Sequence, residues 1–166
     1  QVITRERLEV LALTTDVNIP DGLPVEEVID RVNREGAIAV LSWAPGKWFA
    51  QRGKKVSSLL SDYSARDLVL GDTTLRPWCW IKPLLMKKGI KSGFSILAGS
   101  DPLPFSGEEE MMGRYGSSWQ TELDTENPVA SVRSYLKESG KCPAKAGRRG
   151  FCLETLVRLY KNFKTK

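Results

Sequence analysis

Between residues 8 and 98 the chain alternates between short, nearly continuous apolar runs and stretches of helical apolar spacing, and this alternation limits its possible folds more than any other feature. The runs are residues 8–13, 37–41, 68–70 and 94–98. Runs this short and this apolar predict strands buried on both faces, as in parallel sheets. After the first run, Pro24 stands where a first helical residue would, Glu26 and Glu27 occupy the first turn, and Val25, Val28, Ile29 and Val32 recur at i, i+3, i+4 and i+7. Gly36 supplies a left-handed stop. Val56, Leu59, Leu60 and Tyr63 mark the next helical face. A third helical stretch opens at Pro77, with Ile81, Leu84 and Leu85 apolar, Pro83 a potential kink and Gly89 its end.

Strands alternating with helices argue for parallel pairing through right-handed crossovers, hence an α/β fold. About four βα units do not close a barrel, for which about eight strands are usual. The expected architecture is therefore part of a TIM-like barrel in a single domain of 166 residues, with an N-terminal half missing upstream or a second copy pairing with the first. A complete four-stranded open sheet is the alternative. Residues 8–105 hold the βα units, 106–127 form an irregular Gly-, Glu- and Ser-rich excursion, and 128–166 form basic C-terminal helices. In the last of these, Cys152, Leu156, Leu159, Tyr160 and Phe163 are expected to form the inner stripe.

The chain contains no histidine. This removes the commonest metal ligand and neutral-pH general base, and with it the Ser-His-Asp and Cys-His nucleophile arrangements. Chemistry done by this chain alone falls to carboxylates, Lys, Tyr or Cys. Cys79, Cys142 and Cys152 are odd in number and lack CxxC spacing, which argues against a disulfide framework and for a cytoplasmic setting. No apolar run reaches the roughly 18–20 residues that span a bilayer, so no membrane partner is expected. Residues 133–166 carry ten Lys and Arg against Glu138 and Glu154, while the remainder is net acidic. The basic end reads as a solvated helix face, or as a surface for nucleic acid or an acidic partner. The first of these is preferred, and nucleic acid is disfavoured because no nucleic-acid-reading motif accompanies the charge.

In folds of this kind the site lies at the C-terminal ends of the strands, where Asp16, Trp43, Asp72 and Asp101 fall. Asp101 ends a buried run in Gly99-Ser100-Asp101 and is a candidate metal ligand or base, with Ser100 a donor to a ligand oxygen; an aspartate capping the following turn is an equal reading. Trp43 and Trp48 flank a Pro-Gly turn with Lys47 between them and Arg52 beyond. Lys47 and Arg52 make an anion cradle that the tryptophans would wall; otherwise the rings cover the end of the sheet. Asp72 and Arg76 form a third candidate, catalytic or simply paired. Arg114-Tyr115-Gly116 in the excursion is a candidate to close over a ligand, with the reading against closure preferred.

Two stretches carry a family likeness. Residues 21–46, DGLPVEEVIDRVNREGAIAVLSWAPG, followed by residues 94–104, FSILAGSDPLP, resemble the later part of the polymerase and histidinol phosphatase (PHP) domain family. That resemblance implies a distorted β/α barrel, metal-dependent phosphoesterase chemistry, and a divalent-metal role for Asp101, which stands at the family's last-strand metal-ligand aspartate. The family's histidines are replaced: Pro102, Leu103 and Pro104 follow Asp101, and Trp43 and Ala44 precede Pro45. The resulting expectation is a PHP-like hydrolase-type protein with a degenerate site for an anionic, phosphate-type small molecule. The alternative is a non-enzymatic module that binds through its basic C-terminal segment.

Overall fold

The computed structural model describes residues 1–120, 122–138 and 142–164. Its centre is a five-stranded sheet in the order β1 (Val2–Ile3), β2 (Glu9–Leu13), β3 (Ile38–Ser42), β4 (Val69–Thr73) and β5 (Ile96–Gly99). Strands β3, β4 and β5 are parallel. Helices α1 (Val25–Arg34), α2 (Ala50–Asp62) and α3 (Leu84–Lys91) alternate with the strands. The α/β class is thus as the apolar alternation dictates, and among the described residues no sheet closes into a barrel.

The first apolar run departs from expectation. Strand β2 pairs antiparallel with both β1 and β3, with Glu9 opposite Ser42 and Leu13 opposite Ile38. The cause lies in loop 14–24, which turns at Thr14 (φ 65°) and carries the chain back along the strand before α1 begins. It is fixed at its far end by Gly22 N–H to Ile3 O (2.8 Å), Arg5 N–H to Leu23 O (2.8 Å) and Val25 N–H to Glu6 Oε2 (3.0 Å). The loop makes the return that a crossover helix would make, so β2 runs against its neighbours.

Alternate side chains of the strands feed two cores. Ala39, Leu41, Leu70 and Ile96 pack with Val25, Val28, Ile29 and Val32 of α1 and Val56 and Leu59 of α2. The expected helical faces are therefore the buried ones. Ile38, Val40 and Val69 point the other way and meet Leu136 of α4 (Pro128–Glu138), with Leu11, Leu97 and Val132 beside them. In a closed barrel this second face would look inward onto other strands; here a helix covers it.

The third helical stretch is shorter than the sequence suggests. Pro83 sits at the N-cap of α3 with extended backbone and starts the helix instead of kinking it. Gly89 lies inside α3, not past its end, and a Cβ there would stand 2.5 Å from Leu70 Cδ1, so a larger residue would require that side chain to shift. Residues 77–83 form a loop in which Trp78, Trp80 and Ile81 are exposed.

The excursion and the basic loop after α4 contribute a second sheet of two antiparallel strands, β6 (Tyr115–Ser118) and β7 (Ala144–Gly147), with α4 between them in sequence. This pair lies along the outer edge of β5, where Ile96 N–H reaches Cys142 Sγ (3.3 Å) and Ala98 N–H reaches Ser117 Oγ (2.8 Å). Helix α5 (Cys152–Lys164) closes the chain. Its orientation inverts the expected one: Thr155 and Arg158 are buried, while Leu156, Tyr160 and Phe163 face solvent. Cys79 and Cys152 form a disulfide, with Cα atoms 6.4 Å apart, and Cys142 is free. The sequence spacing argued against such a bond because the fold, not local spacing, brings loop 77–83 to the start of α5.

Candidate functional site

The C-terminal ends of β3, β4 and β5 and the start of the antiparallel β2 share one edge of the sheet. Asp16, expected at this edge, is instead exposed beyond the opposite end of β2. Its place is taken by Glu9, which sequence reasoning missed because the reversal of β2 is encoded in a loop and not in the strand.

Asp72, on β4, is the centre of the edge. Arg76 grips it through Nε to Oδ1 (2.7 Å) and Nη2 to Oδ2 (2.5 Å). Tyr115 OH and Lys145 Nζ each donate to Oδ2 at 2.9 Å. Burial alone would push the Asp72 carboxyl up, but the hydrogen bond and charge of Arg76, reinforced by Lys145, hold it below the usual carboxylate range. Two further cations stand close enough to feel this cluster. The Lys82 ammonium is lowered by burial first and then by the charges of Lys145 and Arg76. Burial and then Arg76 likewise lower Arg149, whose Nη1 donates to Pro77 O (3.4 Å). Two cations thus bind a single carboxylate whose oxygens are engaged, and two more lie within electrostatic reach of it.

The pairing of Asp72 with Arg76 is one that the sequence proposes. Tyr115 and Lys145 are additions: the first lies in the excursion, where closure over a ligand is the disfavoured reading, the second in the basic C-terminal end, read as solvated. Neither stretch carries a strand signal, since YGSS and AKAG are rich in residues that strands disfavour.

Asp101 differs from Asp72 in every respect. It adopts a left-handed backbone (φ 50°), and its carboxylate makes no hydrogen bond or ion pair among the described residues. Burial, then the charge of Glu9, raises its pKa, with Arg158 and Lys47 opposing. It lines two clefts. The smaller, about 110 Å³, is floored by Ser42, Gly71, Asp72, Thr73 and Gly99. The larger, about 480 Å³, is bounded by Glu9, Lys47, Pro102, Pro104 and Leu159. A half-buried carboxyl that keeps its proton more readily than usual, at the wall of a cleft, is equipped to give and take a proton.

The other expected site residues are dispersed. Lys47 forms an ion pair with Glu9, and Arg52 donates to Gly46 O (2.8 Å), so neither stands as an open anion contact with the other. Trp43 and Trp48 are buried in the main core, Trp48 donating to Ser42 O (3.1 Å) and Trp43 meeting Trp80 edge to face, so their rings cover the end of the sheet. Ser100 is used structurally: its hydroxyl donates to Tyr115 O (3.2 Å) and its carbonyl accepts from Thr74 Oγ1. Alongside, Arg158 binds Glu108 through Nε (2.7 Å) and Nη2 (2.6 Å), Thr74 Oγ1 (2.9 Å) and Asp101 O (3.3 Å), which fixes the strand end that carries Asp101.

Asp101 keeps its carboxylate oxygens open among the described residues, and among those residues no three His, Cys, Asp or Glu side chains converge. That donor set does not fit a divalent ion held by this chain's described residues. No protein-family model matches the chain, and neither a curated protein nor a solved structure is significantly similar to it. Function therefore has to be argued from the site.

Proposed function

We propose that the chain binds an anionic, phosphate-type ligand at the edge formed by the C-terminal ends of β3, β4 and β5. The carrying observation is the gathering of cations there: Arg76 and Lys145 bind Asp72, and Lys82 and Arg149 lie within electrostatic reach of the same carboxylate. Such a cluster attracts an anion, with Lys82, Lys145 and Arg149, the members that water reaches, as its donors. The order of βα units and the Gly99-Ser100-Asp101 ending support relating the scaffold to PHP-type barrels, of which these residues form an open part. In this reading Asp101 is the proton-transfer group for any hydrolysis of the bound ester. The metal-dependent form of that reaction would need donors beyond the described residues, so binding is the core of the proposal.

The nucleic-acid alternative has less support. Lys145 is engaged at Asp72, Arg158 at Glu108, and Arg133 at Thr14, so much of the basic end works inside the protein.

Calorimetric titration with inorganic phosphate and with a simple phosphate monoester tests the reading. Lys82→Ala and Lys145→Ala should each weaken binding at least tenfold, while Lys47→Ala with Arg52→Ala should leave it nearly unchanged. Binding that ignores the first pair and collapses with the second returns the anion site to the turn after β3 and overturns the assignment.

A further inference from the structure

Helix α5 turns its polar side inward and its apolar side outward. Leu153 (74% exposed), Leu156 (61%), Tyr160 (59%) and Phe163 (81%) form one line, with Val157 beside it. The inner contacts are polar or covalent: Arg158 with Glu108, Glu154 with Arg114, Cys152 with Cys79. Surface helices ordinarily show the reverse, and a contiguous line of large apolar side chains marks a surface that something else covers. Positions 153, 156, 160 and 163 are spaced by three, four and three, the seam along which one helix packs against another.

We propose that α5 forms the seam of a two-fold symmetric dimer, packing antiparallel against α5 of a second copy of this chain. In that arrangement Leu156 of one copy meets Tyr160 of the other, and Leu153 meets Phe163. Lys161 and Lys164, at the C-terminal end of one helix, then lie at the opposite end of the seam from the same two lysines of the other. A parallel arrangement would set the same two lysines against themselves, so charge selects the antiparallel one. The patch is also self-complementary, as a two-fold interface requires. It extends past the helix. The Cys79–Cys152 bond and Trp78 N–H to Gly150 O (3.1 Å) bring exposed Trp78 and Phe151 next to its first turn. Seven large side chains at roughly 100 Å² each give about 700 Å² per protomer, close to the roughly 800 Å² of a standard specific interface.

Sedimentation equilibrium on the full chain tests this. The unaltered protein should be dimeric at micromolar concentration, and Leu156→Glu with Phe163→Glu should weaken association at least a hundredfold while circular dichroism shows the fold intact. Should that variant fail to fold, Leu153→Ser with Tyr160→Ser provides a milder one, expected to weaken association about tenfold by removing apolar contacts from the seam. A nitroxide on Lys164→Cys should then lie on the order of 20 Å from its counterpart across an antiparallel seam, against about 10 Å across a parallel one. A monomer across the concentration range, a dimer indifferent to these substitutions, or the shorter distance overturns the proposal. So does a monomer that floats with vesicles of anionic phospholipid, which would give the surface to a bilayer.

Discussion

Arg76 and Asp72 face each other through two short contacts, and both side chains are closed to water, at 3% and 0% exposure. Removing one member of such a pair leaves a buried charge without its counterion, a loss of about 3–5 kcal/mol. Asp72→Ala should therefore destabilise the fold by about that much in urea unfolding. Arg76→Met combined with Asp72→Leu should recover part of it, because no charge is then left stranded.

The same pair sets the acid limit of the fold. The Asp72 pKa is depressed on folding, as are those of Glu108 and Glu154, each through the guanidinium it binds. Depressed carboxylates stabilise the native state above the ordinary carboxylate range, and that contribution is lost as pH falls through their folded values. Acid unfolding followed by circular dichroism should begin below about pH 4. Asp72→Asn should remove a share of the steepness there.

Asp101 has the opposite sign. Its raised pKa means that the folded state holds the proton more tightly than the unfolded chain, so ionisation near neutrality destabilises the fold. Asp101→Asn should raise the melting temperature at pH 7 and change it little at pH 3. Asparagine also tolerates the left-handed backbone there. A melting temperature unchanged at both pH values would show that the carboxyl is not held away from water.

Helix α5 is attached by Arg158 and by the disulfide far more than by apolar burial. Arg158→Ala leaves Glu108 buried without a partner, and amide exchange along residues 152–164 should accelerate at least tenfold.

Reduction of Cys79–Cys152, which spans 73 positions of sequence, releases a constraint worth about 4 kcal/mol on the loop-entropy estimate. A dithiol should lower the melting temperature of the unaltered protein and have no effect on Cys79→Ser with Cys152→Ser. Equal melting temperatures with and without the dithiol would mean that the bond contributes nothing to stability.

What the sequence reveals follows from how local each feature is. The buried face of α1 is set by the spacing of Val25, Val28, Ile29 and Val32, and the strands β3 to β5 by unbroken apolar runs, so both are readable without a structure. The direction of β2 is not, because it depends on loop 14–24 doubling back. Helix α5 has clear periodicity, yet periodicity reports only which residues share a face. Burial of Arg158 in place of Leu156 depends on Glu108 and Thr74, which are distant in sequence. At the site, Asp72, Arg76 and Asp101 fall at strand ends where chemistry is expected. Tyr115, Lys145 and Glu9 join them through tertiary contacts that leave no pattern in the chain.

The outer edge of β5 has a topological consequence. A ring of strands grows by offering free amides to the next strand, and here the Ile96 and Ala98 amides are already taken by a thiol and a hydroxyl. The opposite edge is β1, two residues long. With those amides engaged, the β5 border offers no open ladder to a further strand. The same capping guards it against edge-to-edge fibre growth.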